Sequence, residues 1–364
     1  MTNTNLGGHA GLDVFRRPDE TYGSVVVKVA RDEANVDGLE RARMALIAMD
    51  GTDLAPRLLR EARGKGVEHG GLYETQESDL GTSQPVADGE VLRHAAIRML
   101  IGIRGRGLRH GDLTGPRVDG QSNLIWDGVV LRAVDWQEAH PMDAPPPQKQ
   151  PWSDSWLLMR TLSSWSAIDG FSDTPRIARR WQAVLGALGA DAAVPSLPCR
   201  GRTFVDYGCF QGDFVALAAA EGMLAVGIDR GGFRSGEDSI EIARERWRTV
   251  NAVGDIAFRN ADMFSEVHPA DVAMCFSAWS YMVIERGWDV ALDWLRQVIQ
   301  QSSVMFFETQ LAGDGPGTGA LQTDDDVAAM LRSVGGEPTA IVTIPVTGRN
   351  AARTVWSVVR DSPT

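Results

Sequence analysis

The stretch Val205-Asp206-Tyr207-Gly208-Cys209-Phe210-Gln211-Gly212-Asp213 decides the fold of the second half of this chain. The apolar run 203–207 reads as a buried strand, and the two glycines stand where that strand turns into the next helix. Glycine there lets a ligand approach the backbone closely, and the unpaired N–H groups at the start of the following helix point outward to meet it.

Working outward, the pattern alternates. Helix 213–221, strand 224–228, helix 239–250, strand 256–259 and strand 272–276 are followed by helix 288–300, strand 304–308 and helix 324–334. Strands alternating with helices imply right-handed crossovers and an α/β fold, a Rossmann-like doubly wound parallel sheet. The final strands, 340–345 and 354–359, have no helix between them, so a terminal antiparallel hairpin turning at 347–349 is expected. Asp229 closes the second strand and Asp262 follows the third. Together with Asp206 they fall at the carboxyl ends of successive strands, where such sheets bind ligands, and an acid in the position of Asp229 can accept hydrogen bonds from a ribose diol.

On these residues, segment 203–360 resembles the class I S-adenosylmethionine-dependent methyltransferases. The turn is D-x-G-x-x-x-G rather than the G-x-G-x-x-G of dinucleotide enzymes, which argues against NAD. The resemblance implies that Asp206, Gly208 and Gly212 hold the methionine end of S-adenosyl-L-methionine, Asp229 its ribose and Asp262 its adenine amine. Methyltransferases acting on amino groups of bases or glutamine often carry N/D-P-P-Y/F after the fourth strand; here the residues are Ser277-Ala278-Trp279-Ser280-Tyr281, which disfavours such an acceptor. Trp279 and Tyr281 are expected to wall the substrate pocket, and Glu308 to orient or deprotonate a hydroxyl. No His/Asp/Glu cluster has metal-ligand spacing, so a magnesium-dependent catechol type is not supported.

The N-terminal part reads as a strand-rich lobe followed by a helical one. Strands 13–16 and 24–29, helix 39–48, strand 71–74 and helix 89–104 lead to a strand pair, 124–126 and 130–134, about the Asp127-Gly128 turn. Lys28 stands alone among β-branched residues in Val25-Val26-Val27-Lys28-Val29, and His110-Gly111-Asp112-Leu113 is followed by Asn123 and by Val134-Asp135-Trp136. This series resembles the aminoglycoside-phosphotransferase-like and lipopolysaccharide-kinase-like enzymes, and so implies a small two-lobed α+β protein-kinase-like domain. The resemblance gives Asp112 the role of base, Asn123 and Asp135 that of Mg2+ ligands, and Lys28 that of phosphate ligand for ATP, with Glu40 as its ion-pair partner. The family's Asn follows its Asp by about five residues; position 117 is Arg, so an insertion around 115–120 is assumed. The glycine-rich segment is Leu6-Gly7-Gly8-His9-Ala10-Gly11.

Two breaks organise the chain: a proline-rich connector at 140–151 and a second break at 191–202. They divide it into a kinase-like domain, 1–190, and a methyltransferase domain, 200–364. With 36 Lys+Arg against 48 Asp+Glu, the net charge of -12 repels a phosphate backbone and disfavours general nucleic-acid binding. Cys199, Cys209 and Cys275 have neither the number nor the spacing of a disulfide framework, which suits a cytoplasmic protein. No apolar leader or membrane span is read from the sequence. Trp152, Trp156, Trp165 and Trp181 are expected to pack the domains together; the oligomeric state is left open. Two functional readings stand. One is a methyltransferase coupled to a kinase, both acting on a hydroxylated sugar or glycan-like acceptor. The other is a monofunctional small-molecule O-methyltransferase whose N-terminal pseudokinase is a binding or regulatory module.

Overall fold

The computed structural model describes residues 4–9, 11–64, 67–81, 83–84, 89–113, 123–141, 158, 174–189, 199–231, 238–248, 256–312, 321–345 and 352–361. The connector at 142–150, Arg117 with the assumed insertion, the turn at 347–349 and Trp152, Trp156 and Trp165 lie outside them. The chain forms two compact units, one chiefly residues 1–161 and the other chiefly 196–364 together with 172–192.

In the first unit β1 (Thr4–His9), β2 (Leu12–Asp19), β3 (Gly23–Ala30), β4 (Leu58–Arg63) and β5 (Tyr73–Ser78) form an antiparallel sheet in the order β1-β2-β3-β5-β4. The glycine-rich segment is therefore the β1–β2 hairpin. Helix α1 (Glu33–Met49) starts at Asp32, whose side chain accepts from the Asn35 N–H, and buries Leu39, Ala42 and Leu46. After helix α2 (Gly89–Gly105), β6 (Leu108–Arg109) pairs with β9 (His140–Pro141), and β7 (Leu124–Trp126) with β8 (Leu131–Ala133). The β7–β8 turn is the expected Asp-Gly one: Gly128 has φ 98° and the Asp127 carboxylate accepts from the Val129 and Val130 N–H groups.

The second unit is an α/β fold around seven strands: β10 (Thr203–Tyr207), β11 (Leu224–Asp229), β12 (Ile256–Asn260), β13 (Ala270–Phe276), β14 (Ser302–Glu308), β15 (Gly336–Pro345) and β16 (Ala352–Arg360). Their order is β12-β11-β10-β13-β14-β16-β15. The first five are parallel, while β16 runs antiparallel to both β14 and β15. Helices α3 (Thr174–Ala187), α4 (Asp213–Ala220), α5 (Ser239–Trp247), α6 (Trp279–Arg286), α7 (Trp288–Gln301) and α8 (Asp324–Ser333) belong to this unit. The central strands β10, β13 and β14 are mostly buried and rich in apolar residues, as parallel strands covered on both faces must be. Strand order reverses at β10, which is flanked by β11 and β13, so the crevice at their carboxyl ends is the natural ligand site.

The sequence boundary near residue 190 separates α3 from the sheet, whereas α3 belongs to the second unit. Trp181, fully buried, meets Phe204 and Phe214 inside that unit at ring-centroid distances of 6.3 Å each. No described helix is long and apolar enough to cross a membrane.

Candidate active site

The crevice holds a cavity of about 280 Å³ lined by Gly208, Phe210, Asp229, Asp262, Ser277 and Tyr281, among others. Gly208 and Gly212 both take left-handed backbone, φ 78° and 79°. A Cβ on Gly208 would come within 2.5 Å of the Ala278 Cβ, and one on Gly212 within 2.4 Å of the Phe258 ring. Only glycine fits either place. Between them Phe210 also has positive φ, 50°, and remains exposed at the cavity mouth.

Asp229 is positioned by this turn. Its Oδ2 accepts from the Phe210 N–H at 2.9 Å and its Oδ1 from the Gly231 N–H at 2.9 Å. Each oxygen keeps a further lone pair for a ligand. Asp262 accepts from the Phe264 N–H through Oδ1, while its Oδ2 meets Arg286 Nη2 at 2.7 Å. Arg230, also lining the cavity, is paired with Glu285. These two ion pairs, both reaching from α6, form a charged rim that sequence reading missed because α6 itself was not expected.

Asp206 lies beneath the turn, fully buried, with its carboxyl pushed up to about 8 by burial and by the neighbouring Asp229 and Asp213.

The acceptor side differs from expectation at two of three residues. Tyr281 lines the cavity. Trp279 does not: it is 0% exposed, donates its Nε1–H to the Ala291 carbonyl at 3.0 Å and packs edge-on against Trp288 and Phe307. It is core, because the chain enters α6 at this residue and turns the indole inward. Glu308 is also sealed, at 0% exposure. Arg180 grips it with two bonds, Nε to Oε2 at 2.7 Å and Nη2 to Oε1 at 2.9 Å. The Ser277 hydroxyl donates to Oε1 at 2.7 Å, and Arg353 Nη1 stands 3.6 Å away. Burial alone would raise the carboxyl, but the Arg180 guanidinium holds it below the usual carboxylate value. So held, Glu308 is a structural anion rather than a base for a substrate hydroxyl. Ser277, with φ 61°, carries its influence to the cavity: it lines the cavity wall and accepts from Arg353 Nη1 at 2.7 Å.

In the first unit Lys28 is 5% exposed and stands 3.2 Å from Glu77 Oε1 and 3.6 Å from Asp135 Oδ1. Burial lowers the ammonium's pKa, but Glu77 and then Asp135 raise it further, so Lys28 stays charged. Glu40, the expected partner, instead pairs with Arg63 on β4. The helix turns that carboxylate outward, and the sheet supplies Glu77 in its place. Asp135 takes left-handed backbone, φ 64° and ψ 63°, immediately before a 3-10 turn, Trp136–Glu138. Just upstream of Asp112, the ring of His110 meets the Val134 carbonyl at 2.9 Å, tying the two segments together. Asn123 donates its Nδ2–H to the Asp112 carbonyl at 2.9 Å, spanning the gap in sequence between them. The structure thus brings Lys28 to Asp135 and Asn123 to Asp112.

Sequence spacing shows no metal cluster, yet Glu68, His69 and Glu74 place one ligand atom each within 4.8 Å of one another. These groups are already engaged: His69 Nδ1 lies 2.9 Å from Glu74, Gln76 donates to Glu74, and Glu68 pairs with Arg17 and Arg60.

The glycine turn, the strand-end acid Asp229 and the cavity thus meet where strand order reverses, the place at which doubly wound sheets bind ligands. No protein-family model and no curated protein matches the chain. Among solved structures it is similar to the bifunctional kinase-methyltransferase WbdD, with 18% identity, 54% of this chain and 41% of that chain covered, and a TM-score of 0.41. It is also similar to magnesium protoporphyrin IX methyltransferase from Synechocystis PCC 6803 with bound SAM, with 18% identity, coverage of 51% and 82%, and a TM-score of 0.39. The chain spans less than half the length of WbdD.

Proposed function

We propose that the second unit is an S-adenosylmethionine-dependent methyltransferase. The observation that carries this reading is the convergence of Gly208, Asp229 and Asp262 on one cavity at the switch point of the sheet. The residues present fit the cofactor. Gly208 lines the cavity with backbone alone, Asp229 offers two oxygens to a diol, and Asp206 is a buried acid that a methionine ammonium would satisfy. Asp262, which lines the cavity just past β12 and is paired to Arg286, would face the adenine amine.

The bound cofactor supplies an activated methyl group, so the protein's task is to hold an acceptor oxygen in line at about 3 Å and keep water out. Tyr281, Phe276 and Ser277, which line the cavity, would wall the acceptor end. With Glu308 committed to Arg180, no carboxylate base is assigned to the transfer.

The first unit is read as a kinase-like ATP site. Lys28 would meet the phosphates, Asp135 and the amide oxygen of Asn123 would hold Mg2+, and Asp112 would take the proton of the acceptor hydroxyl. A carboxylate and an amide oxygen are the donors a hard cation takes, and the Asn123 amide nitrogen is spent on the Asp112 carbonyl, which leaves the oxygen as its ligand atom. A hydroxylated sugar or glycan-like acceptor serves both chemistries, phosphorylated at one site and methylated at the other.

Calorimetric titration with S-adenosylmethionine, then with ATP with and without Mg2+, tests the reading. Binding of both, with ATP requiring metal, supports the bifunctional enzyme. Cofactor binding alone makes the first unit a platform for a monofunctional O-methyltransferase, and absence of cofactor binding overturns the methyltransferase.

A further inference from the structure

Lys28 and Glu77 share one face of one sheet. The register pairs Lys28 with Thr75 and Val26 with Glu77, so residues 26 and 28 of β3 and 75 and 77 of β5 project to the same side. Lys28 and Glu77 are diagonal neighbours there, both buried, at 5% and 2% exposure. Strand β3 is bonded on both sides, to β2 and to β5, so neither residue can shift without opening the sheet. Among the described residues, no charged side chain of helix α1 forms an ion pair with either. Its Glu40 pairs with Arg63 on β4, Arg43 meets Glu61 at 3.0 Å, and Arg41 donates to the Gln137 carbonyl at 2.9 Å. The helix thus holds the segment that follows Asp135, while the sheet holds the lysine. Lys28, Lys65 and Lys149 are the only lysines in the sequence, so a buried lysine is an unusual choice in a chain that otherwise uses arginine for its cations. An ammonium is a compact charge that a single carboxylate can aim, whereas a guanidinium fork needs a matching planar partner.

We propose that Glu77 is the positioning residue for Lys28, fixing the ammonium for a nucleotide phosphate from within the sheet. This rests on the nucleotide reading of the first unit. A site aimed by packed strands keeps its geometry whether or not a neighbouring helix moves, so Lys28 is in place before any ligand arrives.

The test uses the full-length protein labelled with 13C at lysine Cε, in which Lys28 is assigned by Lys28→Arg. In Glu77→Gln the Lys28 signal is expected to move and Mg-ATP affinity to fall by about ten- to a hundredfold, the range that outer partners of a ligating group carry. Glu77→Asp is expected to restore part of the affinity, a rescue that a folding defect would not show. Glu40→Gln is expected to leave both signal and affinity unchanged. A Lys28 signal or an affinity in Glu77→Gln equal to that of the unaltered protein overturns the proposal, as does sensitivity to Glu40→Gln with none to Glu77→Gln. If the unaltered protein binds no Mg-ATP while the signal still moves in Glu77→Gln, the nucleotide reading fails and the pair is purely structural.

Discussion

Arg180 on α3 and Glu308 at the end of β14 form a two-point ion pair, with bonds of 2.7 and 2.9 Å, in the interior of the second unit. Two charges out of water stabilise the fold only while both are present. Glu308→Ala leaves Arg180 buried without its counter-ion and is expected to cost about 3–5 kcal/mol. Urea unfolding of the variant reads this; stability within about 0.5 kcal/mol of the parent, the spread of an ordinary surface change, would refute it.

Asp229→Ala removes the two oxygens offered to a ribose diol. S-adenosylmethionine affinity is expected to drop about ten- to a hundredfold by calorimetry, in line with hydrogen bonds to a charged group. An unchanged affinity would sink the ribose assignment.

Asp206 links the site to pH. Its carboxyl titrates near 3.8 when unfolded and at about 8 in the folded protein, chiefly because it is buried and then because Asp229 and Asp213 lie near. The folded state therefore holds a proton that the unfolded state has lost. Its contribution to stability is fully present below pH 3.8 and declines as pH rises through about 8. Asp206→Asn should remove this decline from the pH–stability curve. Binding of a cationic methionine group should also expel the proton, so calorimetry at pH 7 in two buffers of different ionisation enthalpy should show proton release in the parent. The same slope in Asp206→Asn would assign the proton elsewhere.

Gly212→Ala places a Cβ against the Phe258 ring at a residue with φ 79°. The strained backbone and the overpacked ring together should lower stability by about 2–4 kcal/mol. A thermal midpoint equal to the parent's would show that the turn can open.

Asp112→Asn should abolish phosphoryl transfer while leaving S-adenosylmethionine affinity intact. Loss of both in one variant would indicate misfolding instead, which circular dichroism would detect.

The parallel strands were legible because burial on both faces leaves an unbroken apolar run, as in Phe204-Val205 and Met305-Phe306-Phe307. The glycine turn after β10 was legible because glycine spacing follows backbone geometry. Helix α6 was not: Ser277 to Tyr281 carries no capping residue in the structure and reads as loop, so Trp279 was taken for a pocket wall. Strand β4, half exposed with three charged residues in Leu58–Arg63, has no apolar alternation to announce it. Glu308 was legible as a strand-end acid but not as an ion pair, since its partner Arg180 lies 128 positions away in a helical region whose charged residues carry no spacing signal toward the sheet. Glu77 was missed because the strand was ended at Glu74; continuing the two-residue period to Ser78 would have put Tyr73, Thr75 and Glu77 on the face of Lys28.

Glu308 is grasped from two directions in the sequence: by Arg180, which precedes every strand of the seven-stranded sheet, and by Arg353, which lies in β16 and also donates to Ser277 at 2.7 Å. On the ribosome the acid would therefore emerge with only one of its two arginines already made. Its second arginine, Arg353, reaches it only when β16 inserts between β14 and β15.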